Sequence, residues 1–275
     1  MSQEKFSFRT TVPEGTKTSL VDYLSEKTPL SKIQLKKLAA NGGVWIRRKG
    51  KGPLTRVRRA KSTLSEKDYV ECHYDPAISE VDTSGCREIF NAKTWGVWYK
   101  PAGILSQGTK FGDQASILRV VEKDRASVFL IQRLDRETSG LMVIAYKEKV
   151  ARIFNKALRS QLIREFFQAE VLGQLRTPEG EITLKLEGKS ANTLYKVHKE
   201  EEHSSLVEIE ITTGRFHQIR QHFTRIKNPI IGDPKYGKDN KNDEGLKLVA
   251  HKVEVKDPIS KEDHVFELPR ELRLF

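Results

Sequence analysis

Two short segments concentrate the residue types that do chemistry. The first, Gln132-Arg133-Leu134-Asp135-Arg136-Glu137-Thr138-Ser139-Gly140, sets two acids, two arginines, two hydroxyls and a glycine between apolar runs. A carboxylate at the end of a rigid strand, in an exposed turn, suits a positioned nucleophile. The same residues also fit a plain hairpin in which Asp135 caps its own loop. The second segment, Thr213-Gly214-Arg215-Phe216-His217-Gln218-Ile219-Arg220, follows an alternating strand and opens a helix. Its polar face offers His217, Arg220 and Gln221. An arginine can hold a carboxylate through paired, charge-assisted hydrogen bonds and so keep it ionised. Taken alone, this face also fits solvated surface.

Other chemistries fail on spacing. Gly188-Lys189-Ser190 ends like a phosphate-binding loop, but the earlier glycine position holds Thr183, and a strand follows where a helix is needed. There is no Gly-x-Gly-x-x-Gly, no His-Glu-x-x-His and no Gly-x-Ser-x-Gly. His217 and His222 lie five apart on one helix, about 140° around it, and cannot easily share a metal. No metal and no cofactor is indicated. A hydrolase built on Asp135 lacks a second positioned carboxylate.

The elements that must hold these residues are mostly strands. Apolar or alternating runs predict strands over 96–100, 128–134, 141–146, 166–172, 181–186, 193–198, 206–212, 247–255 and 265–268. Val207, Ile209 and Ile211 alternate with Glu208, Glu210 and Thr212, as in a sheet buried on one face. Helices are predicted over 113–123, 147–161 and 216–226. The last places Phe216, Ile219, Phe223 and Ile226 on one apolar face. Many strands with interspersed helices give an α+β class with a mixed, mostly antiparallel sheet. No internal repeat is present. Residues 76–91, with Pro76, Ser79, Asp82, Thr83, Ser84 and Gly85, read as a linker.

The 275 residues carry 49 Lys and Arg against 37 Asp and Glu, a net charge of +12. Between Lys32 and Lys61 stand 11 basic residues and no acidic one, so this one stretch accounts for nearly the whole excess. A localised positive field attracts polyanions, and its contacts to phosphates would be salt-dependent. The stretch also folds: Leu30, Ile33, Leu35 and Leu38 suggest a helix capped by Ser31, Asn41-Gly42-Gly43 a stop, and Val44-Trp45-Ile46 and 68–73 strands. Residues 1–75 thus form a small basic α/β module. A solvated face without a partner is its bland alternative. No run is long enough to span a membrane, and Met1-Ser2-Gln3-Glu4-Lys5 shows no apolar signal region. Cys72 and Cys86 are too few for a disulfide framework and are expected as reduced thiols of a cytoplasmic protein. No apolar stripe is left over after the core is assigned, so a monomer is expected.

From about residue 95 to 275 the ordered segments resemble the RluA-type pseudouridine synthases. Lys100-Pro101-Ala102-Gly103 resembles the family's first motif, and Arg133–Gly140 its active-site signature. Ala191-Asn192-Thr193-Leu194-Tyr195, the Thr213–Arg220 segment and Gly232-Asp233-Pro234-Lys235-Tyr236-Gly237 follow in order. Residues 28–74 resemble a small RNA-binding domain first described in a ribosomal small-subunit protein, through Leu30-Ser31-Lys32, Gly42–Ile46, Arg59-Ala60 and Glu66–Val70.

The resemblance implies a catalytic domain over 92–275 of the synthase type, converting uridine to pseudouridine in structured RNA, ribosomal in preference to transfer. Asp135 would be the essential carboxylate, Arg220 its partner, and Thr138 a support. Arg136 would help hold the target nucleotide out of its stack, least costly at an unpaired base. Lys32, Lys36, Lys37, Arg47, Arg48, Arg58, Arg59, Arg215 and His217 would contact RNA. The chain departs from the family where His is usual, at Gln132, and where a Lys-x-Tyr pair is usual, at Glu165 and Phe167. Phe167 can stack on a uracil face but has no hydroxyl to move a proton. The alternative reading is a weak or inactive RNA-binding or ribosome-assembly factor that keeps the fold.

Overall fold

The computed structural model describes residues 4–79, 81–237 and 242–275. Met1, Ser2 and Gln3 of the N-terminal reading, and Glu80 of the linker reading, lie outside the described residues. The chain packs as two compact units, Met1–Thr83 with Gln107–Lys123, and Ser84–Ser106 with Asp124–Phe275.

In the first unit, β1 (Phe6–Thr11), β2 (Lys17–Ser19), α1 (Leu20–Lys27), α2 (Lys32–Ala40), β3 (Val44–Arg47), β4 (Thr55–Arg56), β5 (Thr63–Ser65) and β6 (Tyr69–Tyr74) follow in order, then the single turn α3 (Pro76–Ser79). An antiparallel sheet β1-β6-β3-β4 and a ribbon β2-β5 enclose Leu20, Leu24, Leu35, Val44, Ile46, Leu64 and Val70. Ser31 caps α2 in a reciprocal capping box with Gln34. Ile33, expected on the apolar face of α2, is instead 79% exposed. The helix expected over 113–123 shortens to α4 (Ile117–Val121), started by the Ser116 cap, and its segment packs with this unit.

The second unit is a single large sheet. Its strands are β7 (Arg87–Asn91), β8 (Trp95–Lys100), β9 (Phe129–Leu130), β10 (Ser139–Ala145), β11 (Ile163–Leu172), β12 (Glu179–Ile182), β13 (Thr193–Glu200), β14 (Ser204–Ile211), β15 (Leu248–Lys256) and β16 (Asp263–Glu267), with helices α5 (Glu148–Arg159) and α6 (Gln218–Arg225). The order is β12-β13-β14-β11-β15-β10-β8-β7, with β16 on β15 and β9 on β10. Only β10 and β15 run parallel among the described pairs. The α+β class with a mostly antiparallel sheet is the architecture the strand pattern called for. α5 lays Val150, Ala151, Phe154 and Ala157 over Trp95, Val97, Leu141, Val143, Val253 and Val255.

The strand expected over 181–186 stands at Glu179–Ile182, and three other departures have identifiable reasons. Residues 87–91, read as linker, form the edge strand β7 on β8. Its only apolar anchor is Phe90, whose ring lies 5.2 Å from Trp95, so the strand shows no alternation. The strand expected over 128–134 keeps its ladder only at Phe129–Leu130. Beyond it, the Ser106 hydroxyl takes over, donating to the Leu134 carbonyl (2.6 Å) and accepting from the Leu134 N–H (3.0 Å). Phe216, expected in the core, precedes α6 and is largely exposed.

Candidate active site

The turn that carries Asp135 is held from below by the loop after β8. Lys100 is fully buried and donates to the carbonyls of Pro101 (3.0 Å), Ile104 (2.8 Å) and Arg136 (3.4 Å). Burial pulls its ammonium down to about 8, against the opposing pull of Cys86, Asp135 and Glu137. The Gly103 N–H also donates to the Arg136 carbonyl (2.7 Å), and Arg136 Nε returns a bond to the Gly103 carbonyl (3.2 Å). The turn closes through its backbone, Thr138 N–H to the Asp135 carbonyl at 3.2 Å. The Asp135 carboxylate therefore does not cap its own loop and is left to point outward. Gly140 follows at φ 137°, where β10 meets β15 so closely that a Cβ would sit 2.4 Å from the Ala250 carbonyl oxygen. Only glycine fits that approach.

The opposing segment is held by Gln218. Its Oε1 accepts from Thr213 Oγ1 (2.7 Å) and the Arg215 N–H (3.1 Å), while its Nε2 donates to the Asn192 carbonyl (2.8 Å) and Thr193 Oγ1 (3.0 Å). This one buried amide fastens the start of α6 to the strand that begins at Thr193. His217 then sits in the left-handed region at φ 50°, a conformation uncommon outside glycine. It is secured by a 3.1 Å hydrogen bond between Nδ1 and Tyr236 Oη.

Arg220, only 1% exposed, is the hub. Its Nε and Nη2 donate to Asp233 Oδ2 and Oδ1, each at 2.8 Å. Its Nη1 donates to Asp135 Oδ2 at 3.1 Å and lies 3.5 Å from Glu137 Oε2. His217 Nε2 lies 3.7 Å from Asp135 Oδ1. Burial alone would lower the guanidinium's affinity for its proton; Asp233 and Asp135 outweigh it and hold Arg220 above its ordinary value. Burial likewise pushes Asp233 up, but Arg220 and the N–H groups of Tyr236 and Lys235 outweigh it and keep the carboxyl below the usual range. For His217, burial is the larger effect and lowers the imidazole, with Arg220 and Lys235 acting in the same direction and Asp135 against. Asp135 itself remains 22% exposed, and its Oδ1 accepts no hydrogen bond from the described residues.

The structure thus brings together Asp135, Arg220 and His217, from segments 85 residues apart. Thr138 is buried beneath them. Arg136 is exposed at the rim, and Arg215 reaches away to the Ser190 carbonyl (2.9 Å). Phe167 is buried at an irregularity of β11. Its neighbour Gln168 pairs with Val249, which pairs in turn with Ser139, so Phe167 lies two strands from the end of the Asp135 turn. Gln132 keeps both amide atoms buried without a partner among the described residues. Asp233 and Tyr236 stand in one of the family segments, yet neither is assigned a role from its sequence context. Their signal is an acid and a phenol between two glycines, which composition does not single out.

In the first unit, four of the eleven basic residues are engaged internally. Lys32 pairs with Asp22 (2.6 Å), Arg48 with Asp68 (2.7 Å), and Arg56 and Arg58 with Asp113 (3.3 and 2.5 Å). Arg58 and Asp113 form a two-bond fork. Lys36, Lys37 and Arg59 are exposed, and Arg47 lies over the Tyr69 ring at 5.5 Å.

A family model described as RNA pseudouridylate synthase matches residues 94–225. An RNA pseudouridine synthase of Mycoplasma genitalium is 28% identical over 267 residues, 86% of this chain and 84% of that protein. The dual-specificity RNA pseudouridine synthase RluA of Vibrio parahaemolyticus is 29% identical over 177 residues, 57% of this chain and 71% of its own length. A human structure, RNA pseudouridylate synthase domain containing 4, shares the fold with a TM-score of 0.54 at 22% identity, covering 67% of this chain and 89% of that one. Over most of its length the chain is thus similar to RNA pseudouridine synthases, an RluA among them. No helix among the described residues is long and apolar enough to cross a membrane.

Proposed function

We propose that this enzyme isomerises uridines in structured RNA, ribosomal in preference to transfer RNA, with Asp135 as the catalytic carboxylate. The observation that carries the reading is the 3.1 Å contact between Arg220 and Asp135 Oδ2, with Oδ1 accepting no hydrogen bond from the described residues and His217 Nε2 3.7 Å from it. One oxygen is anchored and the other is available to the ribose–uracil junction. Breaking the bond from ribose to nitrogen and forming the bond to carbon conserves every atom, so the carboxylate and a proton acceptor suffice. Arg220, buried and paired on its far side with Asp233, holds Asp135 in place through a charge-assisted hydrogen bond. Arg136 stands at the rim, suited to occupy the space of the extruded base. Phe167 offers a ring but no hydroxyl, so the final proton passes to Asp135 or to water.

The basic module adds backbone affinity without sequence choice. Lys36, Lys37, Arg47 and Arg59 supply it; Lys32, Arg48 and Arg58 have carboxylate partners within the unit and serve its structure first.

The test uses RNA from cells that lack the gene. Incubation with the full chain should introduce pseudouridine at discrete positions, and Asp135→Asn should abolish it. Modification that survives the substitution refutes the role of Asp135. No product from either protein would favour the assembly-factor alternative.

A further inference from the structure

Phe216 is the one aromatic of its segment that the fold does not bury. Ile219 and Phe223, on the helix that follows, are buried, whereas Phe216 is 50% exposed. Leaving half of a phenyl ring in water forgoes burial that the neighbouring core could have supplied. Yet the ring is not loose. One face stacks on His217, centroids 3.7 Å apart and planes within 21°. His217 is itself fixed edge-on to Tyr236, at 90° and 5.6 Å, and by its hydrogen bond to the phenol. The Phe216 carbonyl is tied by Gln221 Nε2 at 2.7 Å. The stack therefore runs from Asp135 through His217 to Phe216, and ends on a half-exposed ring held in place.

Charge marks what that ring is for. Lys235 places its ammonium 5.4 Å from the Phe216 ring and 5.3 Å from Tyr236. It is exposed, and no carboxylate among the described residues lies within ion-pair distance of it. A rigid aromatic face beside such a cation is what a nucleotide needs: a surface for the base and a charge for its phosphate. An apolar protein segment would gain nothing from Lys235.

We propose that Phe216 and Lys235 form a nucleotide platform at the rim of the site, on which a base flanking the target uridine stacks while Lys235 meets its phosphate. Stacking the neighbour in a fixed position steers the extruded uridine toward Asp135. This inference rests on the RNA-modifying reading of the site and adds a binding position to it.

The experiment compares Phe216→Leu, Phe216→Trp and Lys235→Gln in the full chain, with the same gene-deficient RNA as substrate. Phe216→Leu, which keeps apolar bulk but not a π face, should raise KM about ten-fold with kcat within about two-fold, the effect of losing one base–aromatic stack. Phe216→Trp should keep KM at or below the parent value. Lys235→Gln should raise KM and flatten its salt dependence. If Phe216→Leu leaves KM unchanged, or Phe216→Trp is as impaired as Phe216→Leu, the platform is refuted. A second readout needs no turnover. A short single-stranded RNA of mixed sequence should quench the fluorescence of the Phe216→Trp protein beyond any quenching of the parent. Equal quenching in both refutes stacking at this position, even were the enzyme inactive on every RNA tried. Quenching without turnover would sustain the platform and overturn only the catalytic reading.

Discussion

Arg220 is shared unequally between two acids, and that inequality predicts unequal costs for two isosteric substitutions. Asp233 is fully buried and accepts four hydrogen bonds: two from the guanidinium and two from the N–H groups of Lys235 and Tyr236. In Asp233→Asn, one oxygen becomes an NH2 group. Oδ1 already serves three donors, so the amide is best placed with its NH2 at the Oδ2 site, facing the Arg220 Nε–H. That replaces a charge-assisted hydrogen bond, worth about 1.5–3 kcal/mol, by two opposed donors. Removing one partner of a buried ion pair costs about 3–5 kcal/mol. Asp135 and Glu137 still face Arg220, so the lower end applies, and about 3 kcal/mol is expected. Asp135→Asn is different. Asp135 is partly exposed, accepts one bond from Arg220, and is one of three carboxylates around a single guanidinium. Its loss should cost about 1 kcal/mol or less, because the Asp233 fork remains. Urea unfolding of both variants decides the matter, read as a midpoint shift at constant slope. Equal destabilisation of the two variants, or less than about 1 kcal/mol for Asp233→Asn, would refute this division of Arg220 between an anchoring acid and a reacting one.

Two further outcomes follow from other residues. Glu165 is half-buried, and burial alone pushes its carboxyl up from 4.5 to about 7. Below pH 4.5 the acid is protonated whether folded or not. Between 4.5 and about 7 the unfolded chain loses the proton while the folded one retains it, so stability falls as pH rises through that window. At about 1.4 kcal/mol per pH unit the ceiling is about 3 kcal/mol, and residual water contact reduces it to about 1–2. Glu165→Gln should match the parent at about pH 4 and exceed it by that amount at about pH 8 in urea unfolding; an equal gain at both pH values would show that the charge is not the cause. In the basic module, Lys36, Lys37, Arg47 and Arg59 changed together to Gln should weaken RNA binding. The slope of log affinity against log salt should flatten by about 0.7–0.9 for each phosphate no longer neutralised. Arg58→Gln should instead lower the melting temperature by breaking its fork with Asp113. A flattened salt slope in that variant, with stability unchanged, would overturn the structural role given to Arg58.

The sheet was legible where burial imposes a period. Val207, Ile209 and Ile211 alternate with acidic or polar neighbours along one strand, so β14 could be read directly. β7 was not, because an edge strand with one apolar anchor needs no alternation. The short β9 was over-extended for a related reason: Ile131 and Leu134 are buried and look like strand, but the Ser106 hydroxyl, 28 residues away, has replaced the ladder at Leu134. Tertiary hydrogen bonds of that kind leave no local trace. Phe216 misled in a different way. A helical period assigned it to the core, but the helix begins only at Gln218, after a left-handed residue that turns the preceding ring outward. Where local pattern and structure disagree, function is a common reason.

The pairing of Asp135 with Arg220 came from the family resemblance; taken alone, the acid also fitted a self-capped hairpin and the arginine a solvated helix face. Asp233 was assigned no role, although it takes the other side of the same guanidinium. Yet Asp233 is what makes the pairing usable. Without a second acid, a buried arginine would direct its two-pronged fork at Asp135 and satisfy both carboxylate oxygens. With Asp233 held by Nε and Nη2, Asp135 is reached through Nη1 alone, and its Oδ1 accepts no hydrogen bond from the described residues. A carboxylate fixed through one oxygen keeps the other for a further partner, and that arrangement is set by a second, fully buried acid.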